Sequence, residues 1–156
     1  LAQRSLSMIA KNCEGRVPDP DGLTDEDNSL IDTASRALIA AREAMASQQI
    51  HKALETIFAV VSQGDRYIDA QAPWVLRKSD PDRMKLVLYT VAETVRRVAI
   101  MTQPFMPTSS ARLLDLLAVP EDARSFADID QALTAGTELP APKGVFPRYV
   151  EKEPAD

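Results

Sequence analysis

Along most of the chain the apolar positions recur at three- and four-residue intervals, the period of a helix with one buried face. Leu6, Ile9 and Ala10 begin the pattern, and "CEGRVPDPDG" at 13–22 ends it with glycines, prolines and aspartates. A short first helix is predicted. Thr24 and Asp27 stand at capping-box spacing, with Asp where Glu is usual, ahead of Leu30, Ile31, Ala34, Ala37, Leu38, Ala41 and Met45. The second helix should therefore run for about 20 residues. After "SQQI" a third stripe passes through Ala53, Leu54, Ile57, Phe58 and Val61, and beyond Gly64 through Tyr67 and Ile68. Asp80 can cap a fourth helix with Pro81 in its first turn, where a missing N–H costs nothing; its stripe is Met84, Val87, Leu88, Val91, Val95, Val98 and Ala99. Pro104 and Pro107 should stop it. Ser109 or Ser110 is expected to start a fifth helix carrying Leu113, Leu114, Leu116 and Leu117, and "SFADIDQAL" a last short turn. No alternating strand pattern of useful length and no internal repeat is present. The predicted fold is all-α: a helical bundle of four to five helices over residues 1–137, then a Pro-rich C-terminal tail over 138–156.

Composition narrows the classes. At 156 residues and 45% apolar content the chain can build one core. A net charge of −5 argues against holding nucleic acid by bulk attraction and leaves room for a local basic face. Cys13 is the only cysteine, so there is no internal disulfide and no CxxC pair, which suits a reducing compartment. Neither a run of about 18 apolar residues nor a signal segment occurs. The expectation is a cytoplasmic protein with no membrane partner. The chain opens at Leu1, already in helical pattern, which reads as a piece of something longer.

Little catalytic chemistry can be assembled. His51 is the sole histidine and has no cysteine or second histidine at ligand spacing, so it reads as a surface residue and no metal site is expected. "PDPDG" at 18–22 resembles part of a calcium loop, but prolines fill spacer positions and the closing glutamate is missing; it reads as a turn. Of Arg96 and Arg97, one can face solvent and the other meet Glu93 or a phosphate, the solvated reading being preferred. No Ser/His/Asp set, phosphate-binding glycine loop or reactive cysteine is found, and no catalytic residue is assigned.

"YIDAQAPWVLRKSD" at 67–80 places the one tryptophan directly behind a proline. Pro73 cannot extend a helix from residue 69 and pushes Ala72 out of helical geometry, so the third helix should end near Gln71, with Trp74 at a helix end or on a turn. Two readings follow for Trp74. Its indole can pack into the bundle end, the commoner fate of a lone tryptophan. Alternatively it is a stacking platform for an unpaired base, held rigid by Pro73, with Arg77 and Lys78 nearby for phosphates.

Four stretches in order, "LAQRSLSMIAKNCEGRVP", "RYIDAQAPWVLRKSDPDR", "LYTVAETVRRVAIMTQPFMP" and "LPAPKGVFPR", resemble the C-terminal anticodon-binding domain of bacterial methionyl-tRNA synthetase, a class I aminoacyl-tRNA synthetase. The Ala-Pro-Trp of 72–74 is the most specific element; "QPFMP" is shared more loosely with sister synthetases for isoleucine, valine, leucine or cysteine. The resemblance implies that Trp74 stacks on an anticodon base and that Pro73 shapes the site. It also maps the Arg of the family's "N-L-A-x-R" pattern onto Arg4, its Asn falling just before Leu1. Tyr67 could line the same pocket, although core packing is at least as compatible. "SQGDRY" departs from the family, whose members more often carry Ala-Asn at Gly64 and Asp65. The "HIGH"-like and "KMSKS"-like signatures of the catalytic half are not in this chain. The implied role is thus to grip the CAU anticodon of methionine tRNAs for an intact ligase that uses ATP and methionine, with no cofactor in this part. Its implied partners are the tRNA anticodon loop and the catalytic domain, towards which the tail would run. A sister synthetase domain and a helical protein-interaction module are the alternatives.

Overall fold

The computed structural model describes residues 1–146, and among these the regular structure is helical, with no strand beyond one isolated bridge between Arg16 and Glu138. The elements are α1 (Ala2–Asn12), α2 (Asp25–Ala46), α3 (Ile50–Gln71), α4 (Pro73–Ser79), α5 (Pro81–Thr102) and α6 (Pro107–Leu116), followed by single 3-10 turns at Glu121–Ala123 and Phe126–Asp128. The expected all-α bundle is what forms.

Its axis is α5. Leu88 through Arg97 is buried without interruption, and α5 packs against α1, α2, α3, α4 and α6. A helix enclosed on all sides must be apolar or internally paired all round. Where its stripe is apolar, Val87, Leu88, Val91, Val95 and Ala99 meet Ala34, Leu38, Ile57, Val60 and Leu114 in one core. Where it is polar, the charges pair. Glu93, Arg96 and Arg97 are 1%, 1% and 6% exposed, so the solvated reading of the two arginines is overturned. Arg96 forks onto Glu93 at 2.9 and 2.6 Å and Arg97 reaches it at 2.7 Å. Arg96 also donates to the carbonyls of Asp128 and Ile129, and Arg97 to Ser35 and Asp130. Helical spacing put both arginines near Glu93, but it could not show that the chain after α6 folds back over them.

The local signals at the helix ends are realised. Thr24 and Asp27 form a reciprocal capping box, and the Asp80 side chain accepts the Arg83 N–H. One boundary differs from expectation. The last long helix starts at Pro107, not at a serine: no side chain caps it, and proline's missing N–H makes it a good first residue. Gly64 has a packing reason. A Cβ there would stand 2.8 Å from Leu1 Cδ2, so an alanine in the same backbone would require the end of the Leu1 side chain to move.

After the 3-10 turns the chain returns to the loop that follows α1, where Val17 N–H donates to the Thr137 carbonyl at 2.9 Å and Leu139 N–H to that of Gly15 at 2.8 Å. Val145 then packs on the core. Residues 147–156 of the expected tail lie outside the described residues. Between α1, α3, α5, α6 and this returning segment opens an apolar cleft of about 580 Å³. Phe58 and Phe146, at its walls, are 48% and 60% exposed. No helix is long and apolar enough to cross a membrane, among the described residues.

Candidate nucleic-acid interface

α3 ends where Pro73 requires it to, at Gln71, and Ala72 takes a left-handed conformation with φ 45° and ψ 60°. That conformation costs a non-glycine residue about 1–2 kcal/mol. It turns the chain so that Pro73 becomes the first residue of a second, seven-residue helix, where the sequence predicts only a helix end or a turn. The same proline ends one helix and starts the next, because its fixed φ and absent N–H suit an N-terminus as well as they spoil an interior. Pro73 itself is buried and Leu76 packs on the core, so α4 is seated by those two side chains.

The indole is turned outward. Trp74 is 43% exposed and Val75 57%, which removes the reading of Trp74 as a wholly buried core residue. The Arg4 guanidinium, from α1, stands 5.8 Å from the Trp74 ring centroid, within cation–π range. Arg4 is simultaneously paired with Asp69 of α3 at 2.8 Å, both side chains remaining more than half exposed. Arg77 and Lys78 fill the last turn of α4, exposed and favourably placed against its dipole. Two helices distant in sequence, α1 and α4, thus bring an aromatic face and three cations to one region.

Tyr67 is placed differently from Trp74. It is 6% exposed, and its hydroxyl donates to the Asp27 carboxylate, which is wholly buried. The ring edge borders a shallow groove between α2 and α3, shared with Gln63, Arg66 and Thr33, that Trp74 does not line. Arg83, in the first turn of α5, forks onto Asp27 and also reaches Gln71. Burial pushes the Asp27 carboxyl up most, yet the hydrogen bonds from Arg83, Tyr67 and Thr24 together outweigh it and hold the group at about 2. Tyr67 is pushed up by its burial and by Asp27, and Arg83 is raised chiefly by its bond to Asp27. Sequence reading missed this network. The trace it left was the Asp in place of Glu at the third position of the capping box, a shorter side chain whose carboxylate caps α2 and still meets a guanidinium.

The rest of the sequence candidates stay quiet. His51 is exposed at the start of α3 and, among the described residues, no group of acidic, histidine or cysteine side chains could hold a metal ion.

A helical bundle that offers its one indole to solvent beside a guanidinium has the kind of surface on which RNA-recognition domains stack unpaired bases. Residues 17–156 match the family model described as the anticodon binding domain of methionyl tRNA ligase, and the chain belongs to that family. It is 60% identical to the methionine–tRNA ligase of Mesorhizobium japonicum, covering all of this chain and 31% of that protein, and 58% identical to that of Brucella suis, covering 98% and 30%. The fold is similar to that of the free methionyl-tRNA synthetase of Mycobacterium tuberculosis, with a TM-score of 0.93 at 45% identity over 97% of this chain and 31% of that one. In the same enzyme solved with methionyl-adenylate the TM-score is 0.91 at 46% identity, over 94% and 30%. The chain therefore spans about 30% of the length of the relatives it matches. Membership decides against a sister synthetase and against a generic interaction module.

Proposed function

We propose that this chain reads the CAU anticodon of methionine tRNAs, as part of a ligase that joins methionine to tRNA with ATP. The observation that carries the reading is the half-exposed Trp74, fixed at a helix start by buried Pro73 and flanked by Arg4, on a chain of this family. Stacking on the indole would hold an unpaired base at about 1–3 kcal/mol whatever its identity. Discrimination then falls to hydrogen bonds, from the paired donors of Arg4 and from backbone groups around Pro73 that can meet a base edge. Tyr67, with its hydroxyl engaged by Asp27, contributes by holding the end of α3 in place. The gripping unit is the bundle of residues 1–137. ATP and methionine are handled elsewhere in the ligase, and the apolar cleft beside Phe58 and Phe146 is the face best suited to meet its catalytic domain.

Trp74 is the sole indole, so its fluorescence has a single source. Titration with a CAU anticodon stem-loop at fixed salt should quench it at lower concentration than a loop of altered anticodon does. Trp74→Ala should weaken binding by about 1–3 kcal/mol with helicity retained. Equal binding of both loops, or full-strength binding by the variant, would refute the assignment.

A further inference from the structure

The excursion that carries Trp74 leaves the bundle at Gln71 and rejoins it at Arg83, and these two residues are tied together. Arg83 Nη2 donates to Gln71 Oε1 at 2.9 Å and to Asp27 Oδ1 at 2.7 Å, while Nη1 donates to the other oxygen of Asp27. Asp27 accepts the backbone N–H of Thr24 at 2.8 Å and so belongs rigidly to the start of α2; Gln71 Nε2 reaches Glu26 in the same turn at 2.9 Å. One guanidinium therefore joins the first turns of α2 and α5 to the last turn of α3.

This junction has work to do. α4 is too short to be stable by itself, and Ala72 before it adopts a left-handed conformation that both alanine and a following proline disfavour. Such a conformation persists only where the surroundings over-determine it. Arg4 approaches the indole from above, but its own partner Asp69 is exposed, so the contact is an adjustable one. Besides the apolar seating by Pro73 and Leu76, the buried polar restraint on the excursion lies at its base.

We propose that the clamp of Asp27, Arg83 and Gln71 sets the position of Trp74, making these three positioning residues for anticodon recognition that act without touching RNA. The functional half of this rests on Trp74 being the stacking surface. A lysine at 83 could keep the charge opposite Asp27 but not the planar fork that reaches Gln71 as well.

The test compares Arg83→Lys and Gln71→Leu with Arg97→Lys, which weakens the other buried arginine network on α5. Trp74 emission and acrylamide quenching are read in the chain without RNA, then affinity for the CAU stem-loop. The two clamp variants should raise quenching and lose about fivefold in affinity, while Arg97→Lys lowers the denaturant midpoint yet keeps wild-type quenching and affinity. Should Arg83→Lys not fold, Gln71→Leu, at a half-buried side chain, carries the comparison. Wild-type quenching in the folded clamp variants would overturn the proposal, as would altered quenching with unaltered affinity where Trp74→Ala does weaken binding. A Trp74→Ala variant that binds normally is a separate failure, of the stacking reading itself.

Discussion

A side chain's role in this domain follows from how its neighbours dispose of its charge or its apolar face, and Arg4 and Asp27 are the two limits. Arg4 meets Asp69 with both groups in water, a pair worth at most about 1 kcal/mol, so it can exchange Asp69 for a phosphate or a base edge at little cost. Arg4→Ala should leave the unfolding midpoint nearly unchanged, weaken stem-loop binding and reduce the slope of log affinity against log salt by about one. A slope equal to wild type would exclude a phosphate contact by Arg4. Asp27 is at the opposite limit, sealed from solvent with every oxygen engaged, and what it does for the molecule is fixed in place. The family resemblance could propose Arg4 and Trp74 as candidates, whereas the residues alone left Trp74 open between packing into the bundle end and stacking on a base. Sequence pattern could not distinguish a buried, paired carboxylate from an ordinary helix cap.

At the scale of elements, proline is the organising residue. Pro73, Pro81 and Pro107 each occupy the first position of a helix, so each break in the pattern is also a beginning. Pro81 reads as a helix start in the sequence, but reading Pro73 and Pro107 only as stops gave correct helix ends and one missing helix, α4. That omission matters most at the site, since α4 turns Trp74 outward. The junction of α2, α3 and α5 at Asp27 makes the packing of these helices pH-dependent. The folded-state value of Asp27, about 2, lies below the ordinary 3.8, so its stabilisation is complete above 3.8 and is lost as pH falls from there through about 2. Urea titrations of the wild type and Asp27→Asn should differ in midpoint at neutral pH, with the difference shrinking across that acid window. A gap that stays constant down to about pH 2 would mean that Asp27 is not held ionised by the junction.

For the whole molecule, the buried charges of α5 tie the last described third of the chain to the bundle. Glu93 pairs with Arg96 and Arg97 and accepts the Leu133 N–H at 3.0 Å, so replacing it by glutamine leaves the buried Arg96 without a carboxylate partner and Arg97 with Asp130 alone. Glu93→Gln should cost about 3–5 kcal/mol, seen as a large drop in denaturant midpoint, a substantial part of a domain's total stability. An unshifted midpoint would show the network to be dispensable. The sequence by itself determined most of the helices, most of their ends and the break at Gln71, because periodicity, caps and proline geometry act over a few residues, and its family motifs singled out Trp74 and Arg4. Only the tertiary structure decided that the indole faces solvent, that Arg4 reaches it from another helix, and that Asp27, Arg83, Glu93, Arg96 and Arg97 are interior. Those outcomes depend on which segments fold over which, and whether a charge is solvated or paired is settled here by residues 33 to 62 positions away, beyond the reach of any local pattern.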